Sequence, residues 1–114
     1  MHRNHVYVFD VASARPALLD DLDVVRTALT GLVADAGLHP VGSDAVHRFA
    51  PQGLSVAILL AESHVAVHTW PEHGTAYVTL TTCRRPPAGF VERTRTALAD
   101  AWHGTVLART MADA

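Results

Sequence analysis

Three extended runs follow one another between residues 54 and 83, and they constrain this fold more than anything else in the chain. Leu54 to Ala61 is apolar apart from Ser55 and reads as a buried strand. His64 to Trp70 alternates, with Val65 and Val67 on one face and His64, Ala66, His68 and Trp70 on the other. Pro71-Glu-His-Gly74 is a turn, and Thr75 to Cys83 is a further strand. A chain with three such runs must build a sheet and bury one side of it.

The flanking segments supply the cover. His5 to Val11 is a first strand. Ser13-Ala-Arg-Pro16 is a helix entry, with proline suited to the first turn. Leu18, Leu22, Val25, Leu29, Leu32, Val33 and Ala36 keep helical spacing up to a stop at Gly37. Residues from Pro40 to Phe49 read as a strand that turns through Pro51-Gln-Gly53. Arg84 to Gly89 is a loop, Phe90 to His103 an amphipathic helix stopped by Gly104, and Thr105 to Met111 a last strand. With residues 54–70 counted as one extended stretch, the order β-α-β-β-β-α-β predicts an α+β two-layer sandwich: a mainly antiparallel sheet with two helices on one face and the other face free. All of residues 1–114 form a single domain in this reading.

Composition narrows the function. A 49% hydrophobic and 18% charged chain folds, and a net charge of −2 offers no general attraction to nucleic acid or an anionic membrane. The longest apolar run is far too short for a bilayer, and Met-His-Arg-Asn-His leads directly into a strand without a signal-peptide core. One cysteine excludes an intrachain disulfide framework, so a cytoplasmic location is expected. All nine basic residues are arginine. Without lysine, Schiff-base chemistry anchored on a lysine, pyridoxal phosphate included, is closed to this protein. Any amine–carbonyl chemistry here needs a carbonyl made another way.

A serine between two strands is ordinarily a turn residue. Ser63, however, breaks an apolar run directly after Glu62, close to a histidine-bearing strand and a later cysteine. A Ser-His hydrolase is the obvious alternative, but the chain has no Gly-x-Ser-x-Gly elbow and no assignable third member. His64, His68 and Cys83 are suitable zinc ligands by type. On a strand, though, residues four apart lie roughly 13 Å apart, so no metal site is expected.

Taken together, these segments resemble the bacterial S-adenosylmethionine decarboxylase proenzymes, a pyruvoyl-dependent family. His47-Arg-Phe49 followed by Pro51, Gly53 and Ser55, then Ala61-Glu-Ser-His64, His68-Thr-Trp-Pro-Glu72, Gly74, Ala76 and Thr82-Cys83 stand at the family's spacing. The likeness spans most of residues 5–83 and is weaker beyond. It implies that Ser63 Oγ attacks the Glu62 carbonyl and the chain cuts itself into residues 1–62 (the β chain) and 63–114 (the α chain). Ser63 would become the pyruvoyl cofactor, with His68 providing acid/base help and Ser55 assisting. In turnover the substrate amine would form a Schiff base with the Ser63-derived carbonyl. Cys83 would reprotonate the product, Phe49 would stack on adenine and Glu72 would accept the ribose hydroxyls. The product would be decarboxylated S-adenosylmethionine, the aminopropyl donor of spermidine and polyamine biosynthesis. The resemblance also implies a homodimer of processed αβ units whose active sites draw on both protomers.

The chain departs from the family's pattern at several places. Thr79 stands where an acid is usual, Thr81 where a large aromatic is, and His73 where a tyrosine is. The first strand carries Phe9-Asp-Val-Ala12 in place of a Glu and a Cys. Two alternatives therefore stay open: a pyruvoyl-dependent decarboxylase of another amino acid such as ornithine or arginine, and an unprocessed, non-catalytic partner subunit.

Overall fold

The computed structural model describes residues 4–111. The start of the chain through Arg3, including His2, lies outside them. Six strands form one sheet: β1 (His5–Ala12), β2 (Ala45–Arg48), β3 (Leu54–Leu60), β4 (Ser63–Trp70), β5 (Thr75–Thr82) and β6 (Thr105–Met111). Their order is β2-β3-β4-β5-β1-β6, and every neighbouring pair is antiparallel. Helices α1 (Pro16–Leu19), α2 (Leu22–Asp35) and α3 (Phe90–Trp102) cover one face, giving the two-layer α+β sandwich that the strand and helix order predicts. None of these helices is long and apolar enough to cross a membrane.

Strand alternation decides which side chains enter the core. Leu54, Val56, Ile58 and Leu60 of β3, Val65 and Val67 of β4, and Ala76, Val78 and Leu80 of β5 point toward the helices and are buried. They meet Val25, Leu29, Leu32 and Val33 of α2 and Phe90, Leu98 and Trp102 of α3. Phe90 packs edge-on against Tyr7 at 5.4 Å and Phe9 at 6.4 Å between ring centres, a favoured aromatic geometry. The opposite face of the sheet has no covering layer among the described residues. Leu59, Trp70, Leu107 and Met111 stand exposed on it.

Three features differ from the sequence-based expectation. The expected order counts residues 54–70 as one extended stretch, whereas the turn at Ala61-Glu62 folds them into β3 and β4, so the sheet has six strands. The single helix expected from Pro16 onward is broken at Asp20-Asp21. Asp21 Oδ1 accepts the Asp23 and Val24 amides and caps a new helix. Asp20 Oδ1 turns instead to the Gly53 amide at 2.8 Å and to Arg48. Apolar spacing carries on through the break because both helices bury the same face. The strand expected from Pro40 is regular only from Ala45. Gly42 takes a left-handed φ of 71°, and the bidentate Arg26–Asp44 pair holds the bend. Pro40 keeps one isolated bridge to Leu60.

Candidate active site

The site residues expected from sequence gather in two places. The first lies at the junction of β3, β4 and β5. Ala61 and Glu62 form the tight turn between β3 and β4, and Ser63 opens β4, paired with Leu60 on one side and Thr82 on the other. That register puts residue 83 beside residue 62. The Cys83 amide donates to the Glu62 carbonyl oxygen at 3.1 Å. The Cys83 thiol is free and exposed, in the loop just past β5. Ser63 Oγ is 3.2 Å from His64 Nδ1, so the imidazole nearest this serine is the adjacent one.

The Glu62 side chain is only 13% exposed. Its carboxylate accepts the His39 amide at 3.1 Å and the His39 Nδ1–H at 2.8 Å, and Arg84 stands 3.7 Å away. The hydrogen bond from the His39 ring, then that from its amide, holds this carboxyl below the ordinary glutamate range.

The second cluster lies at the far end of β4. Ser55 and His68 face each other across the β3–β4 ladder, hydrogen-bonded through Oγ and Nδ1 at 2.6 Å. A cavity of about 230 Å³ opens beside them, lined by Phe49, Ala50, Gln52, His68, Trp70 and Glu72 among others. Phe49 is held by its amide donating to the Gly53 carbonyl and by an edge-on contact with His47. Gly53 sits at φ 114°, and a Cβ there would lie 3.1 Å from the Thr69 carbonyl oxygen. Glycine is what allows the β2–β3 turn to close over β4 and present Phe49.

One chain therefore brings Glu62, Ser63 and Cys83 together, and separately Ser55, His68, Phe49 and Glu72. It does not join the two groups. Ser63 and His68 are five residues apart on one strand, roughly 16 Å at the usual rise. Among the described residues, no three His, Cys, Asp or Glu side chains gather as a metal site. A larger groove of about 650 Å³ between α2 and α3 lies on the helical side and contains none of these residues.

Sequence reasoning assigned no role here to the Cys83 amide, to His39 or to the Trp70 wall of the cavity. The exposed alternation of β4 was a legible signal for Trp70. The other two depend on strand register and on a loop contact.

Residues 4–109 match the family model described as S-adenosylmethionine decarboxylase. A relative from Persephonella marina, named S-adenosylmethionine decarboxylase proenzyme, is 46% identical over 65 residues, which is 57% of this chain and 48% of the relative. One of the same name from Aquifex aeolicus is 40% identical over 72 residues, 63% of this chain and 53% of the relative. The chain thus spans about half the length of the curated relatives it matches. A crystal structure of the adenosylmethionine decarboxylase from Aquifex aeolicus VF5 superposes with a TM-score of 0.79 at 26% identity, covering 97% of this chain and 90% of that one.

Proposed function

The chain belongs to the S-adenosylmethionine decarboxylase family, and on that premise we propose that it is a self-processing, pyruvoyl-dependent decarboxylase of S-adenosylmethionine. The observation that carries this reading is the Glu62–Ser63 peptide at the head of β4, whose carbonyl oxygen already receives the Cys83 amide at 3.1 Å.

An amide is a poor electrophile, and a donor fixed on its oxygen favours the charge that develops there during attack. Ser63 Oγ forms a bond to the Glu62 carbonyl carbon, and the bond from that carbon to the Ser63 nitrogen breaks. The hydroxyl proton ends on the nitrogen and leaves an ester. Loss of the Ser63 Cα proton then expels the Glu62 carboxylate from Cβ and gives dehydroalanine. Its imine tautomer takes up water and releases ammonia, leaving a pyruvoyl group at residue 63. The fragments are residues 1–62 and 63–114, and both carry strands of one sheet, which supports their staying together.

Ser63 fits this role because the carbonyl on its amino side accepts the Cys83 amide, and that same cysteine carries a free, exposed thiol. The pyruvoyl carbonyl supplies a trap for a substrate amine and a sink for the electrons that decarboxylation leaves. The protein's own residues do the rest. Cys83 Sγ delivers a proton to the substrate carbon. Phe49 stacks on the adenine, and Glu72 accepts the ribose hydroxyls from the same cavity wall.

His68 and Ser55 act on processing from a second copy of the chain. Ser55 engages Nδ1, so Nε2 is the ring nitrogen left to move a proton at the partner's scissile bond. The two half-sites on β4 cannot meet within one protomer, whereas a copy laid against the uncovered sheet face would bring opposite halves together. Burial of Leu59, Trp70, Leu107 and Met111, each more than 40% exposed in the monomer, supports that arrangement.

Thr79 and Thr81 favour a second reading for the substrate. Both lie on the open face of β5, opposite Ala66 and His64 of β4 and between the two half-sites. Small hydroxyl side chains where the family carries an acid and an aromatic leave room for a different amino acid, such as ornithine or arginine.

Denaturing intact-protein mass spectrometry of fresh material tests the proposal. The expected result is two fragments split between Glu62 and Ser63, the second without a free amine at its N-terminus. A single full-length mass with no release of carbon dioxide from S-adenosylmethionine, ornithine or arginine would overturn it.

A further inference from the structure

We infer that His39 is a positioning residue for self-cleavage, acting through Glu62 to hold the scissile carbonyl on its donor; this rests on the self-processing reading above. The segment around His39 lies alongside the end of β3 and the turn that leads into the scissile bond. Its main chain is tied there three times. The Ala61 amide donates to the His39 carbonyl at 2.8 Å, the His39 amide to Glu62 Oε1 at 3.1 Å, and the Val41 amide to the Leu59 carbonyl at 2.8 Å. The His39 ring adds Nδ1–H to Glu62 Oε2 at 2.8 Å, with Arg84 3.7 Å from the same oxygen. The residue just before the cut is thus gripped at both carboxylate oxygens, although it sits in a surface turn where two residues join two strands.

That grip has a mechanical consequence. The Glu62 carbonyl can rotate away from the Cys83 amide only if the Glu62 backbone turns, and the side-chain anchor on His39 opposes that turn. Orientation of this kind is worth large rate factors, since a displacement of about 1 Å at a reacting centre costs on the order of a hundredfold. The low pKa direction of Glu62 agrees with a carboxylate that stays charged and held. The anchor also outlasts the reaction. His39 and Glu62 both belong to the 1–62 fragment, while Arg84 belongs to 63–114, so one carboxylate ties the newly made C-terminus to its own chain and to the other.

The test follows cleavage of freshly synthesised full-length chain in a cell-free system, by gel and mass spectrometry, for wild type, His39→Ala, His39→Asn, Glu62→Gln and the His39→Ala/Glu62→Gln double variant. The His39 ring is 68% exposed, so its replacement leaves no cavity in the core. Wild type is expected to cleave, and His39→Ala to cleave about tenfold more slowly or worse. His39→Asn should recover most of the rate, because its Nδ2–H₂ donates from nearly the same place as Nδ1–H. The double variant should be no slower than the slower single one, as befits two residues acting through one contact. Wild-type speed in His39→Ala, equal slowing in Ala and Asn, or multiplied losses in the double variant would each overturn the inference. A wild-type chain that stays whole overturns the self-processing reading, and the inference with it.

Discussion

The backbone amide of Cys83 donates to the carbonyl oxygen of Glu62 at 3.1 Å, so the residue proposed to reprotonate the product also holds the carbonyl of the peptide proposed to be cut. The two roles use different atoms. On the proposed function the thiol serves turnover, and the amide serves processing.

Cys83→Ala keeps the amide and loses the thiol. It should therefore still cleave at residue 63, within a few-fold of the wild-type rate. Its decarboxylation should fall by roughly 10²–10⁴, the usual worth of a placed proton donor. Intact mass and carbon dioxide release, measured on one preparation, separate the two effects. A variant that fails to cleave would show that the thiol, not the amide, matters to processing.

Half-sites kept apart on one strand predict complementation between chains. Ser63→Ala and His68→Ala should each remain uncut when made alone. When the two are co-expressed, the His68→Ala chain retains Ser63 and meets an intact His68 on its partner, so that chain should be cut. Mass spectrometry reads which of the two chains is cleaved. If neither is cut in the mixture, the site does not span two copies.

Phe49 stands at the cavity mouth, 47% exposed and fixed by the Gly53 turn. Loss of its ring should weaken S-adenosylmethionine by about fivefold, in keeping with roughly 1 kcal/mol for an aromatic stack. It should weaken ornithine or arginine far less, since neither carries a purine. Kinetics on Phe49→Ala with all three substrates decide the matter. Equal losses would count against adenine stacking.

Two carboxyls sit below their ordinary range: Asp44, chiefly through its hydrogen bond from Arg26, and Glu62, chiefly through that from His39. For each, the folded pKa lies under the unfolded one. Their contribution to stability is thus complete at neutral pH and is lost as pH falls through the unfolded value near about 4 and on below it. Thermal midpoints measured from neutral to acid pH should fall for wild type. Asp44→Asn should start lower at neutral pH and fall less steeply. Parallel curves would show that the Arg26–Asp44 pair does not couple to folding.

Much of this architecture was readable beforehand because its signals are local. Alternation at Val65 and Val67 against His64, Ala66 and His68 assigned both faces of β4, and turn residues at Pro71–Gly74 ended it. The break between α1 and α2 was not legible, because the apolar period runs straight across Asp20-Asp21. What stops the helix is Asp20 reaching the Gly53 amide, 33 residues away.

The amino-acid sequence by itself determined the sheet, the helical cover and the types of side chain available for chemistry. Periodicity, turn residues and the absence of lysine act through neighbours along the chain. Only the tertiary structure decided which of those side chains meet. The β4–β5 register sets the Cys83 amide on Glu62, the loop before β2 brings His39 to the same residue, and the length of β4 separates Ser63 from His68. These relationships depend on contacts between distant segments, whose geometry is fixed when the whole sheet closes its hydrogen bonds.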